Sequence, residues 1–236
     1  MKKIEKYGKI IMLERCENMI TKEFLPKHKE LVVYQDDEMF RINTDTMALG
    51  EFLYIYKKDT VLDIGTNTGA LLLYASLFNP KKLIGIDINE KALELAKKNM
   101  EENKIENITL KCCDATIYKD EEVDVIICNP PYFHTTEKLL SNDKYKNLAK
   151  HEGTLNLQNL ILTIRRNLKN HGTLFLLFQT SRLTEVIEEL KKNRMTVKKL
   201  KFVYDENKEF SNVVLIKAVK GGKTGIVVEK PLIISR

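Results

Sequence analysis

Short apolar runs alternate with longer amphipathic stretches through most of this chain, and the alternation predicts a parallel sheet covered by helices. Residues 61–65 (VLDIG) read as a buried strand, and an apolar-rich helix over 70–78 stops before Asn79-Pro80. Residues 82–87 (KLIGID) form a second strand, after which Asn89 caps a helix to about Asn103 with Leu93, Ala96 and Met100 on one face. Residues 108–112 and 123–128 supply two more strands. A helix over 155–168, a strand over 173–178 behind Gly172, and a helix to Lys192 capped by Ser181 follow. Residues 195–204 and 212–219, joined by a polar loop, read as an antiparallel pair. The expectation is an α/β, doubly wound, Rossmann-like sheet of six or seven strands with a terminal antiparallel hairpin.

The residues before this alternation follow a different pattern. Residues 31–35 and 39–43 flank Asp36-Asp37 and suggest a hairpin. Thr44-Asp45 would then cap a helix over 46–56 with Met47, Ala48, Phe52 and Ile55 turned inward. With no repeat, low-complexity tract or linker, the chain is expected to be one domain, an extension over 1–58 leading into a core over 59–236. The long polar segment 135–153 is the expected mobile functional loop.

Composition adds an asymmetry. The 236 residues are 43% hydrophobic, enough for a sizeable core, and carry 39 basic against 33 acidic residues, a net +6. Residues 1–149 hold 22 basic and 25 acidic residues (−3), while residues 150–236 hold 17 and 8 (+9). An anionic partner approached by the C-terminal third and a merely solvated lysine-rich surface account for this equally well. No apolar run approaches the length of a membrane span, and residues 10–13 are followed at once by Glu14 and Arg15, so neither a membrane segment nor a secretory signal is expected. The four cysteines, Cys16, Cys112, Cys113 and Cys128, form no CxxC pair. Thiols in a reducing, cytoplasmic setting and no structural metal are the expectation.

The first strand runs through Asp63-Ile64-Gly65-Thr66-Asn67-Thr68-Gly69 into a helix, and glycines at such a turn let a ligand reach backbone N–H groups. The second strand ends on Asp87, where a carboxylate accepts both hydroxyls of a ribose, and the third ends near Asp114, placed for an adenine amino group. Three acids at three successive strand ends disfavour a pyrophosphate and suit a cationic nucleoside cofactor. Helix capping by the same acids is the plainer alternative. The fourth strand ends in Asn129-Pro130-Pro131-Tyr132. Its asparagine oxygen and Pro130 carbonyl can accept two hydrogen bonds from one exocyclic amine, and Tyr132 offers a face for a planar group.

On these residues the chain resembles class I S-adenosylmethionine-dependent methyltransferases, in particular the amino-methyltransferases marked by [DNS]PP[YFW]. DIGTNTG matches their first motif, Asp87-Ile88-Asn89 the second and Cys113-Asp114-Ala115 the third; Asn67 stands where most members have glycine. The flanks, Leu25-Pro26-Lys27-His28, Phe40 to Asp45, Lys150-His151-Glu152-Gly153, Lys220 to Gly225 and Glu229-Lys230-Pro231-Leu232, look like the bacterial tRNA(Val) adenine-37 N6-methyltransferase family, with Lys230 where a second proline is usual.

The resemblance implies S-adenosylmethionine as cofactor, S-adenosylhomocysteine as product and the anticodon arm of a tRNA as partner. It implies a cofactor site of Thr44, Asp45, Asp63, Gly65, Thr66, Gly69, Asp87, Ile88, Asp114, Ala115 and Asn129, with Arg41 close by, and a catalytic set of Asn129, Pro130, Pro131 and Tyr132, with Phe133 beside it. Thr44 and Asp45 serve equally well as helix caps, and His151-Glu152 either order the loop, contact RNA or begin a surface helix. Tyr74 and Phe78, at i, i+4, read as core. Lys191, Lys192, Arg194, Lys198, Lys199 and Lys201, with Lys220 and Lys223, form a cluster suited to RNA phosphates. Other amines, in ribosomal RNA guanine, DNA adenine or protein glutamine, and a non-catalytic RNA-binding protein on the same fold, are the rival readings.

Overall fold

A computed structural model describes residues 20–36, 40–130 and 156–235. A two-stranded antiparallel unit comes first, β1 (Ile20–Leu25) and β2 (His28–Asp36), and leads to α1 (Thr44–Gly50). The βα alternation follows: β3 (Thr60–Ile64), α2 (Ala70–Ser76), β4 (Lys82–Asp87), α3 (Glu90–Glu102), β5 (Ile108–Cys112) and β6 (Val123–Cys128). The chain continues with α4 (Leu157–Asn167), β7 (Leu168–Gln179), α5 (Leu183–Lys192), β8 (Met195–Asp205) and β9 (Val213–Lys220). Two short strands, β10 (Val227–Val228) and β11 (Leu232–Ile234), end the described chain. The large sheet has the order β10-β8-β9-β7-β6-β3-β4-β5, with β11 also paired to β8. β5, β4, β3, β6 and β7 are parallel, and β9 is antiparallel to both β7 and β8.

Strands β4, β5 and β6 have the bounds read from the sequence, because each is a short β-branched run closed by a polar residue or cysteine. Several expectations at the margins are corrected. The N-terminal hairpin pairs β1 with β2 across Pro26-Lys27, with Lys27 in a left-handed turn at φ 65°, and residues 40–43 are not a strand. α1 is capped by Asn43, whose side chain accepts from the amides of Asp45 and Thr46; Thr44 and Asp45 are its first turn, and it ends at Gly50. α2 ends at Ser76, short of Phe78. β7 begins at Leu168, before Gly172. Ser181 lies in a 3-10 turn and gives α5 no side-chain cap. β10 and β11 extend the sheet beyond the expected hairpin, so that β8 is not the last strand.

Period-two alternation in the strands separates two cores. Val61, Leu83, Val125, Ile127, Phe175 and Leu177 pack on one face with α1 and α2 residues such as Leu49 and Leu73. Leu62, Ile84, Ile126, Leu174 and Leu176 pack on the other with Leu160 and Ile164 of α4 and Val186 and Leu190 of α5. Tyr74 is buried in the first core and its hydroxyl donates to the Pro26 carbonyl, so it is structural.

The β1–β2 unit is attached by a device that hydrophobic pattern does not display. On α3, Asn103 accepts from the Val32 amide and donates to the Val32 carbonyl, and one turn earlier Asn99 does the same for Tyr34. Two side chains at i, i+4 thus mimic a pairing strand along β2, satisfying backbone groups that an edge strand leaves open. Asn99 also donates to the carbonyl of Thr68, tying the same helix to the turn after β3.

Candidate active site

Because β3, β4, β5 and β6 are parallel, their C-terminal ends share one edge of the sheet. Chain order reverses between β3 and β6, which are neighbours although α2 to β5 separates them in sequence. Ligands of open α/β sheets bind outside the strand ends at such a switch point. Asp63 sits beside Gly85 on β4 and Ile127 on β6. Asp87 and Asn129 each lie two residues beyond those partners, so the alternation turns all three toward the α1/α2 side of the sheet.

Asp63 occupies what would otherwise be a core position. It is fully buried, and neither carboxyl oxygen has a hydrogen-bond partner; the hydroxyl of buried Thr66 is likewise without one. Burial pushes the Asp63 carboxyl up to about 7, reinforced by the charge of Asp87. Buried polar groups are nearly always paired, so this orphaned pair makes the position a candidate ligand site.

The turn above it is open. Gly65 has φ 74°, and a Cβ there would meet nothing within 4 Å; Gly69 has φ 81°, and a Cβ there would press on the Met100 methyl at 3.0 Å. Gly65 and Thr66 both donate to the Ile86 carbonyl (2.9 and 3.0 Å), fastening the turn to β4. Asp87 completes the frame: Oδ2 accepts from the Asn67 amide at 2.7 Å and Oδ1 from the Asn89 amide at 2.9 Å. Each oxygen retains acceptor capacity for a ribose. Ile88, half exposed beside it, offers a flat apolar surface.

Asp114 receives the amide and hydroxyl of Thr116 on Oδ1, both at 2.7 Å, leaving Oδ2 as the further acceptor. The loop after β5 is clamped from α4, where Thr163 donates to the Ala115 carbonyl and Arg166 to the carbonyls of Ala115, Thr116 and Tyr118. Sequence pattern gave no sign of Arg166, Asn99 or Asn103, because polar residues on mostly amphipathic helices look like ordinary surface.

At the end of β6, Asn129 is half-buried, its side chain makes no hydrogen bond to the described residues, and Pro130 is buried. Cys128 precedes them, its thiol donating to the Ile64 carbonyl and pushed up in pKa by burial. Pro131, Tyr132 and Phe133, the expected loop over 135–153, His151-Glu152 and Cys16 lie outside the described residues. Thr44 and Asp45 are brought to the α1/α2 side, with Asp45 buried. Arg41 pairs instead with Glu23 and Thr21 of β1.

The basic cluster is split, with Lys199 and Lys201 level with the end of β6 but three strands away and the rest farther off. β8 runs parallel to β7, so Met195 and the preceding Lys191, Lys192 and Arg194 lie at the sheet edge opposite Asn129, as do Lys220 and the turn to Lys223. The span from Met195 to Val203 along β8 is about 25 Å. Most of these cations already have partners. Lys199 and Lys201 pair with Glu229, Lys192 with Glu189, and Lys220 with Glu122 and the carbonyls of Arg165 and Leu168. Lys198 donates to the carbonyls of Lys223 and Thr224. The Lys220 to Gly225 segment serves to turn the chain back along β8, with Gly221 and Gly225 at positive φ. No group of three metal-ligating side chains occurs among the described residues, and no described helix is long and apolar enough to cross a membrane.

Comparison with known proteins accords with this geometry. A model of the methyltransferase domain family matches residues 55–219, from before β3 to the end of β9. Over 94 residues the chain is 30% identical to the tRNA1(Val) (adenine(37)-N6)-methyltransferase of Shewanella woodyi, a match spanning 40% of this chain and 38% of that relative's length. Among solved structures, a predicted O-methyltransferase from Agrobacterium tumefaciens superimposes with a TM-score of 0.62 at 19% identity, covering 80% of this chain and 87% of the other. The M. jannaschii tRNA m1G37 methyltransferase gives 0.59 at 17% identity, covering 89% and 60%. The orphaned acid at the switch point, the open glycine turn and the family match over most of the chain lead to one conclusion: this chain belongs to the methyltransferase domain family.

Proposed function

We propose that this methyltransferase uses S-adenosylmethionine to methylate the exocyclic N6 of adenine in tRNA, at adenosine 37 of the anticodon loop. The observation that carries the reading is Asn129 at the end of β6, on the same edge and face as the unpartnered Asp63 and followed by Pro130. The similarity to the Shewanella tRNA adenine-N6 enzyme supports the choice of acceptor. The functional unit in this reading is the whole chain, residues 59–236 forming the catalytic core and the tRNA substrate placing its work in the cytoplasm.

The donor sets fit the cofactor. Asp63 and Thr66 lack the donors that a cationic amino-acid end brings, Asp87 has acceptor capacity for a ribose, and Ile88, Asp114 and Ala115 form an adenine site beyond it. Gly65 and Gly69 keep the turn clear, and this reading assigns Thr44 and Asp45, the first turn of α1, to the methionine end of the cofactor. When bound, the sulfonium supplies an electrophilic methyl carbon.

An aromatic amine is a weak nucleophile because its lone pair is delocalised into the ring. In this reading the Asn129 amide oxygen and the Pro130 carbonyl accept its two N–H bonds and draw the lone pair toward the methyl group, with Pro131 and Tyr132 assigned to the same catalytic set by the motif. With the cofactor bound, transfer would form a nitrogen–carbon bond at the expense of the carbon–sulfur bond, leaving S-adenosylhomocysteine, and the methylated amine held by Asn129 and Pro130 would lose a proton to water. Its acidity makes a strong base unnecessary, and alignment supplies much of the rate.

Lys191, Arg194 and Lys223 make no described ion pair and are the cluster members left for phosphates, with the paired lysines contributing at the rim. An RNA contacting both these residues and Asn129 extends about 25 Å along the protein. Nucleoside mass spectrometry of total tRNA, with and without the gene, tests the reading. Loss of N6-methyladenosine is expected; unchanged N6-methyladenosine with loss of another methylated nucleoside would move the activity to a different amine.

A further inference from the structure

Residues 40–43, between the β1–β2 unit and α1, carry no regular secondary structure, yet each of the four is fixed by a different contact. The Phe40 carbonyl accepts from the side-chain amide of Asn67 at 2.6 Å. Arg41 is held by Glu23 and Thr21, the Ile42 amide donates to the Gln35 side chain at 2.6 Å, and Asn43 caps α1. Thr21, Glu23 and Gln35, which hold the middle of this strap, are all buried. Three of the four contacts reach back to the N-terminal unit or forward to α1. The remaining one, from Asn67, crosses to the turn between β3 and α2.

Asn67 is an unusual choice at its position. Its φ of 48° is left-handed, a conformation that glycine adopts without strain and asparagine tolerates better than other side chains. Its backbone amide donates to Asp87 Oδ2 while its side chain donates to Phe40. One residue therefore joins the carboxylate proposed for the ribose, the open turn and the strap that leads to Thr44 and Asp45. A glycine would retain the first function and lose the last.

We infer that Asn67 is a positioning residue: its side-chain amide ties the Phe40–Asn43 strap to the glycine turn and so holds the wall of the cofactor cleft in its binding geometry before the cofactor arrives. The inference rests on the proposed use of S-adenosylmethionine. Pre-ordering lowers the entropy lost when the ligand binds, so release of the tie weakens affinity without removing any group that touches the ligand.

Asn67→Gly separates the roles, because it keeps the left-handed backbone and the amide to Asp87 and deletes only the tie. Asn67→Asp keeps a side chain of the same size that cannot donate. Asn79→Gly changes another left-handed asparagine, in the turn after α2, as a control. Hydrogen exchange of the unliganded protein and calorimetric titration with S-adenosylhomocysteine are the readouts. Both Asn67 variants should speed exchange at residues 40–46 and weaken the Kd about tenfold. Asn79→Gly should leave both unchanged, and saturating cofactor should restore the kcat of the Asn67 variants. Unchanged exchange and Kd in Asn67→Gly, with the parent protein binding normally, would overturn the tie and leave the function standing. A parent protein that does not bind S-adenosylhomocysteine at all would overturn the cofactor reading and, with it, this inference.

Discussion

The two charged regions that stand out in the sequence fare oppositely in the fold. The acids at the ends of β3, β4 and β5 converge on one edge of the sheet, and the most buried of them, Asp63, has no partner. The basic cluster of the C-terminal third does not converge: Lys191, Lys192, Arg194 and Lys220 lie at the opposite edge, Lys199 and Lys201 lie along β8 toward the level of Asn129, and most of the cluster is engaged by Glu229, Glu189, Glu122 or main-chain carbonyls. Charge density alone is therefore a weak guide to function. A surface ion pair contributes little and is easily satisfied locally, whereas an unpaired buried carboxylate is expensive to keep unless something binds it.

The comparison breaks most visibly at Asn129. Asn129→Ala should lower turnover roughly 100- to 1000-fold while S-adenosylhomocysteine binding is retained, as expected when an aligned hydrogen-bonding group is lost from the reacting centre. Turnover near that of the parent would remove the amine-presenting role. Asp63→Asn should weaken S-adenosylhomocysteine roughly 10- to 100-fold by calorimetry, since it removes a charged acceptor.

Asp63 also makes a prediction for the unliganded protein. Its folded pKa is raised, so between the ordinary carboxylate range and about 7 the folded state holds a proton that the unfolded chain has released. Its contribution is complete at low pH and is lost as pH rises through about 7, a difference of up to about 4 kcal/mol. Chemical denaturation at pH 5 and pH 8 should show the parent losing stability that Asp63→Asn does not lose. Smaller still is Asn99→Ala, which leaves the Tyr34 amide and the Tyr34 and Thr68 carbonyls without a partner and should destabilise the fold by about 2 kcal/mol.

Within the basic cluster, Lys199→Ala should change tRNA affinity by less than about twofold, because Glu229 already engages that cation. Lys191→Ala combined with Arg194→Ala should weaken binding several-fold and flatten its salt dependence by roughly two charges. Filter binding at several salt concentrations separates the two. Equal effects would show that local pairing does not decide which lysines reach RNA.

The parallel core was legible because β3 to β6 are apolar runs with sharp polar ends, and the positions of Asp63, Asp87 and Asn129 followed from strand-end chemistry. Their common edge needed the strand order, which places β6 beside β3. The N-terminal unit departs from the expectation because its pairing is set by the Pro26-Lys27 turn, while Asp36, where a turn was expected, is the last residue of β2. Its docking depends on Asn99 and Asn103, and polar side chains pairing with a strand's backbone leave no hydrophobic period to detect. The paired lysines were illegible for a related reason: Glu229 lies some thirty residues from Lys199, and only the return of β10 along β8 brings them together.

Incubation of the purified protein with S-adenosylmethionine and unmodified tRNA, followed by mapping of methylated nucleosides by mass spectrometry, decides whether the protein is the adenine-N6 enzyme proposed. N6-methyladenosine at position 37 is expected with the parent protein and none with Asn129→Ala under conditions where both bind S-adenosylhomocysteine. Methylation of a different nucleoside, or undiminished N6-methyladenosine formation by Asn129→Ala, would contradict the proposal.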